Sequence, residues 1–300
     1  MSTLAAEEAA LAEVFRSAEV EGFVDAREIG SDRELSYRAG EPVVAASVFK
    51  LPVLVELFRQ ADAGQVDLTE QLEVPVDGRA EGPTGLSIFR DPVRLSWRDL
   101  ATSMMVVSDN AATDVVCERV GLDAVNATMA GFGLDSTWIA SDCRGIFALV
   151  YEDVGIESFD QFPEEFGPEL LDRQRCLDPQ QTNRTTARDM SRLLELVWTG
   201  QAASEAACAE MRSILSNQVW PYRLAAGFPE DSVTTSGKTG TLLGWRNEVG
   251  VVERKGTDRS VAVACFTRSR RPWKHPAADA AIGAAARVAV DALLGSSGDA

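Results

Sequence analysis

The sequence predicts an α/β protein of the α+β kind: an antiparallel five-stranded sheet flanked by terminal helices, with an all-helical region inserted into it. Three observations carry that expectation. Each end of the chain combines β-prone runs with one amphipathic helix, the middle reads as helix after helix, and no repeat interrupts either pattern. Three hundred residues suffice for one compact unit with a sizeable core. Its expected parts are a sheet subdomain of residues 1–43 and 218–300 and a helical subdomain of residues 44–217.

In chain order, residues 4–17 place Leu4, Leu11, Val14 and Phe15 at helical spacing in an Ala/Glu-rich run, which predicts a first amphipathic helix. The runs Glu21 to Ile29 and Leu35 to Arg38, separated by Gly30-Ser31-Asp32, read as two short strands joined by a turn. Helical patterns follow at Val48 to Ala63, Trp97 to Val107, Ala111 to Val120, Leu122 to Ala130 and Thr186 to Thr199. Strand character returns in Val233 to Thr235, Asn247 to Val252 and Val261 to Thr267, with turns at Leu243-Gly244 and Lys255 to Asp258. Ala277 to Leu294 is the closing helix, and a cleft between sheet and helical layers is where a ligand would sit.

Composition narrows the function. A formal charge of −17 repels phosphate backbones and anionic lipid, because binding to either depends on Lys and Arg neutralising phosphates. Nucleic acid and membrane are therefore not expected partners, and a small molecule is. Met1 to Phe15 has no basic n-region and carries glutamates where a secretory signal needs an apolar run, so the chain as written is expected to be cytoplasmic. The five cysteines, Cys117, Cys143, Cys176, Cys208 and Cys265, are odd in number and widely spaced, which predicts small buried residues and no metal or cofactor. His275 is the single histidine and lies in a Pro- and Arg-rich loop, so a general base has to come from another residue type.

Ser47-Val48-Phe49-Lys50 stands where an extended run gives way to a helix. Helical residues three apart share a face, their Cβ atoms about 5 to 6 Å apart, so the Lys50 amine can reach the Ser47 hydroxyl. A helix N-terminus also favours a developing oxyanion, and a lysine whose pKa is lowered by burial is a competent base. The alternative is a surface lysine one turn beyond a serine cap. Against it stands the lysine census: only Lys50, Lys238, Lys255 and Lys274 occur in a chain that otherwise takes arginine, and arginine cannot give up a proton.

Two further motifs fall in order. Ser108-Asp109-Asn110 lies between an apolar helix end and a new helix start; Ser108 can relay a proton and the Asn110 amide can hold a substrate carbonyl. Ser236-Gly237-Lys238-Thr239-Gly240-Thr241 closes a strand. There the glycines would let a substrate lie close, while Lys238 and Thr239 suit a carboxylate. The same hexapeptide raises a phosphate-binding loop, but that motif needs glycine where Ser232 stands and a helix afterwards.

S-x-x-K, S-D-N and K-T-G in this order resemble the class A β-lactamase and penicillin-binding protein family of serine hydrolases. The resemblance extends to Arg223 with Phe228-Pro229, to the strand pair Gly240 to Val252 with Asn247-Glu248, and to Thr185 to Met190. It implies a β-lactamase-like fold and cleavage of a β-lactam or related carboxylate-bearing amide or ester through an acyl-Ser47 intermediate. Lys50, Ser108 and Lys238 would share the catalytic work. Asn110, Thr239, Gly240, Thr241 and Arg223 would hold a small anionic substrate.

One region departs from the family pattern. Between Ala140 and Gln181 the chain is longer than a typical class A enzyme, and the family's Glu-Pro-x-Leu-Asn is met only by Gly167-Pro168-Glu169-Leu170-Leu171. Glu164, Glu165 or Glu169 are then the candidate bases for deacylation, a role worth about 10² to 10⁴ in rate. Without such a base the acyl-enzyme lingers or passes its acyl group on. The alternative functions are therefore a cytosolic transacylase, esterase or amidase of small-molecule metabolism, and a non-hydrolysing penicillin-binding sensor.

Overall fold

The computed structural model describes residues 3–162 and 167–295. Helix α1 (Thr3–Ser17) leads into the hairpin β1 (Glu21–Glu28) and β2 (Glu34–Tyr37), and the short β3 (Val43–Val44) leads on to α2 (Lys50–Asp62). Strands β4 (Gln71–Val74) and β5 (Val93–Ser96) precede α3 (Trp97–Val106), α4 (Asn110–Val120), α5 (Leu122–Gly131), α6 (Cys143–Val154) and the one-turn α7 (Pro168–Leu171). Strand β6 (Arg184–Thr185), α8 (Ala187–Trp198) and α9 (Glu205–Ser216) complete the middle. Strands β7 (Val233–Leu242), β8 (Trp245–Arg254) and β9 (Ser260–Arg268) and helix α10 (Pro276–Leu294) close the chain.

The five-stranded sheet has the order β2-β1-β9-β8-β7 and is antiparallel throughout. Its centre is the pairing of β1 with β9, from Glu21 opposite Arg268 to Glu28 opposite Val261, which joins the two chain ends. Side chains alternate faces along a strand. Val261, Val263 and Cys265 accordingly pack with Leu11 and Phe15 of α1 and with Ile282, Ala285, Ala286 and Ala289 of α10, while Ala262, Ala264 and Phe266 face the helical region. Small residues let the alanine-rich α10 lie close to the sheet.

Helix α2 is the pillar of the other layer. It is apolar almost all round and buried over Lys50 to Phe58, as expected of a helix enclosed on every side. Its buried Glu56 is satisfied by Gln60 Nε2 at 2.8 Å and Thr128 Oγ1 at 2.6 Å. The inserted region is helical except for two small ladders, β3 with β6 and β4 with β5, which corrects the expectation of an all-helical insert. Pairs of two to four residues leave too short an alternation to read from sequence.

The K-T-G segment lies inside a strand. Strand β7 continues without a break from Val233 to Leu242, and a turn at Leu243-Gly244 leads straight into β8. No helix follows, so the phosphate-loop alternative lacks its main structural element. Among the described residues no helix is long and apolar enough to cross a membrane.

Candidate active site

Ser47 lies on a 3₁₀ turn, Ala46–Phe49, immediately before α2. Lys50 opens α2 three residues on, and among the described residues its amine makes no hydrogen bond to the Ser47 hydroxyl, its partners being Ser108 and Asn110. Ala46 has φ +44°, a left-handed conformation unusual for alanine, and the chain turns there. Neither this turn nor α2 is capped by a serine side chain, and Lys50 is fully buried, so the reading of Lys50 as a surface lysine beyond a serine cap is excluded.

Lys50 Nζ donates to Ser108 O at 2.8 Å and Asn110 Oδ1 at 2.9 Å and lies 3.2 Å from Ser108 Oγ. Lys238 Nζ donates to Thr239 O at 2.8 Å and lies 3.0 Å from the same Ser108 Oγ. One hydroxyl thus bridges two buried amines. Burial lowers the pKa of both lysines; for Lys238 the neighbouring Lys50 and Arg223 add to it and bring it well below the usual lysine range. Two desolvated cations on one oxygen favour loss of a proton or arrival of an anion.

Ser108 has φ +60° on the turn between α3 and α4. Asp109 holds that turn: its Oδ1 accepts Ala112 N at 3.1 Å, and its Oδ2 accepts Leu86 N and Ser103 Oγ, each at 2.7 Å. The Asn110 amide accepts from Lys50 and donates to Glu81 O at 2.9 Å, so its oxygen serves the lysine and one N–H remains for a ligand. The middle residue of the motif is structural. Its outer two face the cleft.

Strand β7 supplies the opposite wall. A Cβ at Gly240 would meet Ala45 O at 3.0 Å and Val48 N at 3.2 Å, so this glycine lets the strand approach the Ser47 turn. That corrects the expectation that the glycine makes room for substrate. Arg223 is also placed differently from the expected carboxylate support. Its guanidinium is buried and bound to Asp279 at 2.6 Å, Gly240 O and Asn247 O at 2.9 Å, and Thr241 Oγ1 at 2.7 Å. It orients Thr241 and does not line the cleft. The cations that line it are Arg246, whose hydrogen bonds go to the carbonyls of Leu243, Trp245 and Trp273, and Lys274.

These walls enclose a cleft of about 1030 Å³ lined by Ser47, Ser108, Asn110, Thr239 and Thr241. Its roof is aromatic. Phe147 and Tyr151 of α6 meet Phe159, with centroids 4.9 and 5.4 Å away; Phe159 stacks on Phe162 at 5.4 Å, and Phe162 meets Trp273 edge-on at 5.5 Å. The long segment after Ala140 therefore bridges to the loop following β9, over one side of the cleft. Its root is fixed at Asp114, whose carboxyl accepts Cys143 N at 2.7 Å and is raised to about 6 by burial and by Asp142.

Glu164 and Glu165 lie outside the described residues. Glu169 is on the exposed side of α7 and is not among the residues that line the cleft. His275 also lies outside the lining, at the start of α10. All five cysteines are free and buried, and among the described residues no cluster of His, Cys, Asp and Glu could hold a metal ion. The sequence reading missed Arg246, Glu81 and the aromatic roof. An apolar residue in a loop carries no motif; the only signal was the excess length between Ala140 and Gln181.

The architecture is that of the β-lactamases and penicillin-binding proteins. A β-lactamase from Sphaerobacter thermophilus superposes with a TM-score of 0.78 at 25% identity, covering 96% of this chain and 97% of that one. The penicillin-binding protein PBP-A superposes at 0.76 with 21% identity, over 96% of this chain and 94% of its own. The model of the Beta-lactamase enzyme family matches residues 6–293, and the chain belongs to that family. It is also 30% identical over 290 residues to the β-lactamase regulatory protein BlaB of Streptomyces cacaoi, covering 89% of this chain and 91% of the relative.

Proposed function

We propose that this chain is a serine acyl-transfer hydrolase that opens a β-lactam or a related carboxylate-bearing amide or ester. The observation that carries the reading is Ser108 Oγ, 3.2 Å from Lys50 Nζ and 3.0 Å from Lys238 Nζ in a cleft that also presents Ser47. In acylation the Ser47 oxygen bonds to the substrate carbonyl carbon as Lys50 takes the hydroxyl proton. The Lys50–Ser108 contact then passes a proton to the leaving nitrogen as the C–N bond breaks. Backbone N–H groups of Ser47 and Thr241 are the candidate oxyanion donors. The substrate carboxylate would lie against Thr239, Thr241 and the charge of Lys238. A water then hydrolyses the acyl-Ser47 ester.

Incubation with benzylpenicillin followed by intact-mass measurement tests this. The expected result is a covalent adduct on the wild type and none on Ser47→Ala. A wild type that neither carries an adduct nor consumes benzylpenicillin, or an equal adduct on Ser47→Ala, refutes it.

A second reading, a sensor that acylates and does not turn over, is favoured by the regulatory relative and by the position of Glu169 outside the cleft. The time course separates the two, since a hydrolase returns to its unmodified mass while a sensor stays acylated.

A further inference from the structure

The cleft is polarised. Its cations, Arg246 and Lys274, stand on the sheet side, and its carboxylates, Glu81 and Asp160, stand on the helical side. No ion pair joins either carboxylate to a cation among the described residues. Glu81 is nevertheless held in place. Its Oε2 accepts from Tyr151 Oη and from Phe159 N at 3.4 Å, and its backbone oxygen accepts the Asn110 amide. Burial and then Glu81 raise the pKa of the Tyr151 hydroxyl, which keeps it a donor. Among the described residues both of the carboxylate's bonds go to Oε2, and none reaches Oε1.

Aromatic residues share the cleft with this carboxylate, and Tyr151 and Phe159 are hydrogen-bonded to it. Phe159, 38% exposed, and Phe147 line the cleft with Glu81, and Trp273 (45%) and Tyr222 (46%) line it as well. An aromatic face next to a fixed carboxylate is a recognised setting for an organic cation, which gains from ring and charge together. Overall charge points the same way. A chain of charge −17 repels a simple anion, whereas a zwitterion meets no net repulsion and turns its cation to the acidic wall.

The geometry points to a subsite for an aryl group bearing an ammonium, so that the preferred substrate is zwitterionic: its carboxylate faces β7, and its aryl-ammonium acyl side chain lies between Glu81 and the Phe147–Phe159 rings. This deepens the proposed acyl transfer at Ser47 and rests on it.

Ampicillin and benzylpenicillin form the matched pair for the test, since both carry a phenyl ring on the acyl side chain and only ampicillin carries an ammonium. At about pH 6 the ammonium and the carboxylate are both charged. The ratio of acylation rate constants, ampicillin over benzylpenicillin, is expected to be about threefold to tenfold on the wild type and to fall towards one in Glu81→Gln. A wild-type ratio of one or less, or a ratio that Glu81→Gln leaves unchanged, overturns the subsite.

Calorimetric binding of the same two compounds to Ser47→Ala keeps the test independent of chemistry. If neither compound acylates the wild type, the acyl-transfer reading fails alone, and the ratio of dissociation constants still decides for or against the subsite.

Discussion

On the floor of the cleft the polar side chains hold one another: Lys50 binds Ser108 and Asn110, Lys238 binds Ser108 and Thr239, and Asp109 binds two backbone N–H groups and a hydroxyl. The roof consists of rings that touch edge-on or stacked, with Phe159 and Trp273 still exposed. The floor is preorganised by directional bonds, and the roof is an adaptable apolar surface. Chemistry needs the first, because a misplaced proton acceptor loses its reaction. Apolar side chains of a substrate can be met by the second, with Glu81 a hydrogen-bonded polar group at its edge.

The sharpest way to break this contrast is to remove the amine of the floor. Lys50→Met keeps length and apolar volume but has no base, and acylation of Ser47 by benzylpenicillin is expected to slow by about 10² to 10⁴ in a time-resolved mass assay. The pH profile gives a second readout. Because burial lowers the Lys50 pKa, the wild-type rate should rise with pH as the amine loses its proton, and Lys50→Met should lose that rise. A variant that acylates at the wild-type rate would remove Lys50 from the mechanism.

The support behind the floor has a cost that Glu248→Gln exposes. Glu248 is buried, accepts Leu224 N at 2.7 Å, and is raised from 4.5 to about 7, first by burial. Between those values the folded state holds a proton that the unfolded state has lost, so stability falls as pH rises across that window. Glutamine keeps the acceptor without the charge. Its stabilisation should reach about 3 kcal/mol at about pH 8 and vanish at about pH 4 in urea unfolding. An equal gain at both pH values would mean that packing, and not ionisation, is responsible.

The roof should yield the smallest effect. Trp273→Ala removes the ring that meets Phe162 but keeps the carbonyl that Arg246 binds. Its kcat/KM for benzylpenicillin, relative to 6-aminopenicillanic acid without the phenyl ring, is expected to fall about threefold to tenfold. A fall of equal size for both compounds would assign Trp273 to the floor's geometry.

The two regions were also unequally legible. Ser47, Lys50, Ser108 and Lys238 could be found in the sequence because each sits in a short motif, the first three at helix starts or turns and Lys238 within strand β7. The roof has no such spacing. Phe147, Phe159 and Trp273 come from a helix, a one-turn segment and a loop, and nothing local brings them together. Arg223 and Arg246 show a related limit. The family resemblance placed Arg223 among the residues that support the substrate's carboxylate, but only the packing shows that Asp279 and Thr241 already hold Arg223 while Arg246 faces the cleft.

Local pattern by itself determined the mixed fold class, the sheet built from both chain ends and the three motifs, because periodicity and short spacings act within a few residues. Tertiary structure decided the rest. It paired β1 with β9 across the length of the chain, brought Ser108 between two lysines 58 and 130 residues away, and folded an extra segment over the cleft. Those arrangements come from burial and from hydrogen bonds between distant residues, which sequence spacing does not encode.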